Sequence, residues 1–204
     1  MLAKLDFKYY QLLKKFKLES FKDISYFVLI ILVMHVLWRV WKHQFDFHIF
    51  GYDVLSPTHE WLTHQVRIQS AWFLNNILKI NTEIDGQLFI FSPYSRMGVT
   101  PGCSGLKQFY QYFGIIALFY GTWKKKLWFI PLGLITIHLI NLFRIIFLAV
   151  IVIYKLEWFN VMHDWVVRPL FYIAMFLFWV WWVEKIAKRP NDYYDHLDFK
   201  KEAV

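Results

Sequence analysis

Three side chains carry most of the chemical potential of this sequence: one thiol, one guanidinium inside an apolar run, and one imidazole. Cys103 is the only cysteine in 204 residues and stands in the stretch TPGCSG, residues 100–105. Thr100 and Pro101 read as the N-cap and first position of a helix. That places Cys103 in a first helical turn, where outward-pointing amides and the helix dipole favour an anion. Lys107, four residues on, adds positive charge on the same face. Gly102 and Gly105 remove side chains around the thiol, so that another backbone can approach. These features suit a thiolate nucleophile. A small apolar filler, the other reading of a membrane cysteine, needs none of them. A lone cysteine also excludes an internal disulfide, and facing an oxidising compartment it reads as a reactive thiol.

Arg144 interrupts the run HLINLFRIIFLAV. An arginine in hydrocarbon is expensive and by default marks a functional site or a buried partner. Snorkelling to the outer headgroups is the alternative, but ten further residues of apolar character follow Arg144 before Lys155, which a simple interface anchor does not require. Asn141, three residues earlier, is placed to hydrogen-bond or orient it. His163 ends the segment KLEWFNVMH, ahead of the last apolar run, and is a candidate general acid or base. Asp164 follows directly, although adjacent residues of an α-helix do not face one another. His35 and His138 lie inside apolar runs and read as helix-to-helix hydrogen-bonders. No His-Glu-x-x-His zinc spacing and no phosphate-cradling glycine loop is present, so neither a metal nor a cofactor is expected.

The elements that must position these groups are membrane helices. Hydrophobic residues make up 58% of the chain and aromatics 22%, above the roughly 45–50% apolar usage of soluble domains. Several runs approach or exceed the roughly 18–20 residues needed to cross the hydrocarbon. The expected class is an all-α polytopic membrane protein with four spans, at 24–41, 106–123, 127–154 and 165–183. No long linker or internal repeat appears, so residues 1–204 read as one membrane domain. It comprises a basic tail (1–23), a membrane core (24–183) containing an outer segment (42–102), and a polar tail (184–204). Inside the outer segment, SPTHEWL predicts a helix start, with Ser56 as N-cap and Pro57 at the first position. That amphipathic helix would run to about residue 80. Two short apolar pieces in 86–99 predict a small β-hairpin just ahead of the cysteine. Residues 155–164 read as a short loop, and the aromatics around Trp179–Trp182 as lipid-facing and interfacial.

The net charge of +8 does not point to nucleic acid, because the basic residues lie beside the apolar runs. Fourteen of the 23 Lys and Arg residues fall in the two tails and the KKK segment 124–126. With four spans all three share one side, which the positive-inside rule makes cytoplasmic. Cys103 and His163 then meet on the opposite face. Arg144, 17 residues beyond Leu127 or about 25 Å along a helix, lies toward them.

The motif GCSG, then NLFR within a later span, then a histidine at the outer start of the next span, resembles the exosortase/archaeosortase family of multi-span membrane cysteine transpeptidases. The resemblance covers about residues 74–183. The chain looks like a compact version with the N-terminal spans reduced to one, and its short, lysine- and aromatic-rich style is similar to the branch found in Bacteroidetes. By position, Cys103 matches the family's nucleophile, Arg144 its arginine and His163 its histidine, with Asn141, Lys107, Gly102 and Gly105 in support. The resemblance implies substrates that are exported proteins with a C-terminal sorting signal: a short motif, a hydrophobic helix and a basic tail. Cleavage would pass through a thioester and end in transfer to a surface acceptor. The implied location is the inner membrane, with both termini cytoplasmic and the site outside. The competing readings are a non-catalytic membrane scaffold or assembly factor, with Arg144 paired to a partner helix, and a haem-binding membrane protein using His35, His138 or His163.

Overall fold

The computed structural model describes residues 18–44, 48–49, 52–53, 55–92 and 95–187, so most of both polar tails and the Pro93 turn lie outside the described residues. The chain divides into two compact units, Met1–Asp46 and Phe47–Val204. In the first, helix α1 covers Leu18–Gln44. Its segment Asp23–Val40 is long and apolar enough to cross a membrane. Val28, Leu29, Leu32, Val33, Val36 and Leu37 are exposed along it, as residues that face lipid are.

The second unit begins with a two-stranded ladder, β1 (His48–Ile49) against β2 (Tyr52–Asp53). Helix α2 follows at Leu55–Asn76. It is two-faced: Val66, Ala71 and Leu74 are buried, while Trp61, Ile68 and Trp72 are exposed. It stops at Asn76 rather than near residue 80. Asn75 closes the chain into a turn, donating from Nδ2 to the Thr82 carbonyl (3.0 Å) and accepting from the Thr82 amide at Oδ1 (2.7 Å).

The predicted hairpin is present and gains a third strand. Strands β3 (Glu83–Asp85), β4 (Leu88–Ser92) and β5 (Ser95–Gly98) form an antiparallel sheet in that order, with an irregularity between Ile90 and Ser92. Phe89, Met97 and Val99 turn inward and pack with Val66 and Leu74 of α2 and with Ile145, Leu148 and Val152 of the long helix Trp123–Tyr154. The alternation of side chains along a strand puts Met97 and Val99 on that one face. The strand therefore delivers the chain to Cys103 already anchored on the bundle.

Helix α3 spans Leu106–Leu118 and α4 spans Trp123–Tyr154. Lys155, at φ −151° and ψ 64°, ends α4, and the chain is helical again from Leu156. A 3-10 turn (Leu156–Trp158), a short α5 (Phe159–Val161), a π-helical turn (Met162–Val167), α6 (Arg168–Trp181) and a second π turn (Trp182–Ala187) run on continuously. The expected loop at 155–164 is thus a helical entry to the last span.

Three helical segments, not four, are long and apolar enough to cross a membrane among the described residues: Asp23–Val40, Trp123–Tyr154 and Leu156–Ala187. The expected span at 106–123 is a helix of 13 residues, about 20 Å long against a ~30 Å core. It ends because Phe119 is extended and Gly121 adopts φ +132°, packed so closely against Trp182 that a Cβ there would come within 2.5 Å of its ring. Even so, the two ends of α3 are tied to α4. Asn141 Nδ2 donates to the Cys103 carbonyl (2.9 Å) at one end. At the other, Lys126 Nζ donates to the carbonyls of Ala117 (2.8 Å) and Phe119 (2.6 Å).

The lysine cluster is therefore more than a charge marker. Lys126 is buried and caps the carbonyl end of α3, and Lys125 Nζ caps Ile186 of the last helical segment at 2.6 Å. A cation at the negative end of a helix is favourable. Replacing Lys126 with Met should cost roughly 1.5–3 kcal/mol, the range for a hydrogen bond to a charged group. The readout is a lower Tm in detergent, with Lys124→Met, an exposed neighbour, as the neutral control.

The aromatic cluster near the C-terminal end is core rather than lipid-facing. Trp179 and Trp182 are 3% and 0% exposed. Trp182 donates its indole N–H to the Tyr120 carbonyl (3.0 Å) and packs on Phe129. A buried indole with a satisfied N–H suits a bundle interior. Only Phe176 and Trp181 of this group keep the expected exposed surface.

Candidate active site

Cys103 lies in a 3-10 turn, Pro101–Cys103, and not in the first turn of an α-helix. Thr100 flanks that turn and Pro101 opens it, but α3 starts only at Leu106, after Gly105 at φ +82°. The left-handed residue breaks the helical phase, so the four-residue relation expected between Cys103 and Lys107 does not hold. Gly105 is needed twice over. Its φ is one that other residues rarely adopt, and a Cβ would meet Asn141 Nδ2 at 3.2 Å. Gly102 is exposed, and a Cβ there would meet only Thr100 Oγ1 at 3.7 Å, so it leaves open space beside the thiol.

The turn is held from two sides. Asn141 is fully buried on α4 and holds the carbonyl of Cys103, rather than orienting Arg144 as its spacing suggests. Its Oδ1 is buried without a hydrogen-bond partner. From α2, His59 Nδ1 lies 3.0 Å from the Pro101 carbonyl and 2.9 Å from Ser104 Oγ. Arg67 Nη1 donates to the Val99 carbonyl at 3.3 Å. The thiol itself is half-buried against the apolar cluster of α2, α4 and the sheet.

Arg144 faces this turn from α4. It is 7% exposed, and its guanidinium lies over the Phe171 ring at 5.9 Å. Its Nη2 is 2.9 Å from His163 Nε2. A guanidinium has no lone pair to accept with, so Nη2 donates and Nε2 accepts. The proton of the neutral ring must then sit on Nδ1, which donates to Asp164 Oδ1 at 2.7 Å. Arg168 Nη1 lies 3.1 Å from the same oxygen. Phe159 stacks on the imidazole, with ring centres 5.7 Å apart and planes 14° apart.

The π turn explains how His163 and Asp164 can touch. Successive residues of an α-helix stand about 100° apart. A turn closed by i→i+5 bonds holds more residues and narrows that angle. The turn ends where Pro169 enters the first turn of α6. Proline lacks the amide that would bond the carbonyl four residues back, and its ring crowds that carbonyl, so a tighter α-turn is disfavoured there.

The structure thus brings Cys103, Asn141, Arg144 and His163 to one place, and leaves Lys107 without the helical relation to the thiol. His138 lies elsewhere, its Nε2 2.8 Å from Gln69 Oε1 of α2, a helix-to-helix contact as its type and setting suggest. Reading the sequence set Asp164 aside and passed over Arg168, Phe159, His59 and Ser104. Pro169 was the available signal for Asp164, and i, i+4 spacing the signal for Arg168 with Asp164 and Phe159 with His163. For His59, whose partners are 42 and 45 residues away, no local signal exists.

A chain with three helical segments able to cross a membrane, carrying a thiol, a buried guanidinium and an imidazole at one end of its bundle, has the makings of a multi-pass membrane protein. The family model described as transmembrane exosortase (Exosortase_EpsH) matches residues 24–180, and the chain belongs to that family. No curated protein and no solved structure matches it.

Proposed function

We propose that this exosortase-family chain is a cysteine transpeptidase of exported proteins that bear a C-terminal sorting signal of motif, hydrophobic helix and basic tail. The observation that carries the reading is the placement of Arg144, hydrogen-bonded to His163 and about one helical turn beyond Asn141, which holds the Cys103 carbonyl. Cys103 Sγ attacks the scissile carbonyl, and Arg144 stabilises the thiolate and then the oxyanion. His163 Nε2 carries the thiol proton to the leaving amine as the C–N bond breaks. An acceptor nucleophile then attacks the thioester, giving its proton back through Nε2 and releasing Cys103 as the thiol. For Nε2 to take a proton, the Arg144 hydrogen bond must first loosen, which an arriving carbonyl oxygen would favour by competing for the guanidinium.

The orientation follows the charge. α3 and the extended residues after it return the chain to the lysine end of α4, so the KKK segment and Cys103 lie at opposite ends of the bundle. The positive-inside rule then puts the lysines in the cytoplasm and the thiol outside the inner membrane. A substrate anchored by its own helix meets the enzyme by diffusion in the plane, and the bilayer is a partner in recognition.

The test is a trapped acyl-enzyme. Full-length chain is co-reconstituted with a substrate carrying such a signal and quenched in acid. The expected product is a hydroxylamine-labile adduct on Cys103 with the mass of the substrate's N-terminal part. Processing without any adduct at Cys103 would reject the thioester route. Absence of both processing and adduct across signal-bearing substrates would favour a non-catalytic scaffold.

A further inference from the structure

From the geometry around His163 we infer that Asp164 is a positioning residue for the reaction, acting through His163, with Arg168 holding its carboxylate in place; this rests on the transpeptidase reading. Three contacts fix the imidazole and a fourth fixes its carboxylate partner. Arg144 donates to Nε2, Nδ1 donates to Asp164 Oδ1, Arg168 binds that same oxygen, and Phe159 covers a ring face.

Each contact constrains the others. Arg144 requires a lone pair on Nε2, and Asp164 secures it by taking the proton of Nδ1. Without an acceptor at Nδ1, the other tautomer would set an N–H against the Arg144 N–H groups. Either the ring would turn or Arg144 would withdraw. Arg168, four residues beyond Asp164 in the helix, stops the carboxylate from rotating away. The π turn makes the arrangement possible, since an unbroken α-turn would point Asp164 away.

The function of such a group is also electrostatic. When Nε2 takes a proton the ring becomes a cation beside the Arg144 cation. Asp164 on the far side of the ring offsets that repulsion. The charged groups around the ring are Arg144 from α4, Asp164 and Arg168 from its own helix, and Cys103 through Arg144. Phe159 and its neighbours Asn160 and Val161 in α5 bring no charge.

Two readouts test this on the full chain in nanodiscs. The first is 15N NMR of histidine-labelled protein, with His163→Gln identifying the His163 signals. Wild type should show a neutral ring protonated at Nδ1, and Asp164→Ala a mixture of tautomers. An unchanged Nδ1–H signature in Asp164→Ala overturns the inference. The second is processing kinetics. Asp164→Ala should lower kcat about 10- to 100-fold, the scale found when an outer partner that orients a metal-bound histidine is removed, with KM little changed. Asp164→Asn keeps an acceptor but not the charge, so it should retain tautomer and fold and move the acid limb of the rate profile toward lower pH. Asp164→Glu should recover most of the rate. A pH profile and kcat equal to wild type in both Ala and Asn variants would overturn the positioning role. If wild type itself processes no substrate, the transpeptidase reading fails, and the tautomer measurement still decides whether Asp164 sets the ring.

Discussion

Cys103→Ser should abolish substrate processing, with a fall of about 10⁴-fold or more. Removing the nucleophile of a hydrolytic site built as a unit costs up to about 10⁶ in rate. A hydroxyl at this position would keep the shape of the turn. The backbone of Cys103 is held by Asn141 through its carbonyl and by a 2.8 Å amide bond to the Thr100 carbonyl, and neither bond involves sulfur. The variant should therefore accumulate to wild-type levels with an unchanged Tm. What it loses is the ability of a buried arginine to hold an anion, because a serine hydroxyl at neutral pH does not ionise. The single cysteine makes the experiment clean, since the Ser variant has no thiol left to alkylate. Processing by Cys103→Ser within tenfold of wild type would remove the thiol from the reaction. Loss of processing with loss of fold would be resolved by Cys103→Ala, which tests packing alone.

Much of this site was legible because membranes make some residues conspicuous. A cysteine beside Pro101 and two glycines, and an arginine amid Leu142, Phe143, Ile145 and Ile146, stand out against hydrocarbon chemistry. Two of the three strands ahead of Cys103 were legible from their short apolar pieces, and α2 from its Ser-Pro start. Features that depend on phase were not. Cys103 and Lys107 were assigned to one helical face, but Gly105 in the left-handed region breaks the phase between them. Asp164 was set aside because α-helical neighbours diverge, and only a π turn lets it reach His163. The fourth span failed for a related reason. Residues 106–123 carry Lys107, Gln108 and Gln111 in their first turns, the helix ends at Leu118, and Trp182, more than 60 residues away, occupies the space beside Gly121. Burial of Trp179 and Trp182 was equally hidden, since composition cannot tell a lipid-facing tryptophan from one that fills a helix crossing.

Arg144→Met should separate function from stability. Processing should fall about 10³-fold, the order seen when a single donor to a developing oxyanion is removed. The fold, however, should hold, with Tm unchanged or raised. The guanidinium is 7% exposed, its Nε has no hydrogen-bond partner, and the imidazole it binds is neutral. A buried charge with so little compensation is costly, and well-packed apolar replacements of buried ionic groups are often neutral or stabilising. Phe171, beneath the guanidinium, would accept a methionine thioether readily. Arg144→Lys is the informative companion. It keeps the charge, but an ammonium on a shorter stem lacks the planar fork that can address His163 and Cys103 together. It should recover at most a small part of the lost rate. A scaffold whose arginine exists to grip a partner helix predicts the reverse pattern, with Arg144→Met destabilised and Arg144→Lys close to wild type. Measuring Tm and processing for both variants distinguishes them. A destabilised Met variant, or a fully active one, would mean that this cation is kept for structure, leaving Cys103 without the counter-charge on which thiolate chemistry at this site depends.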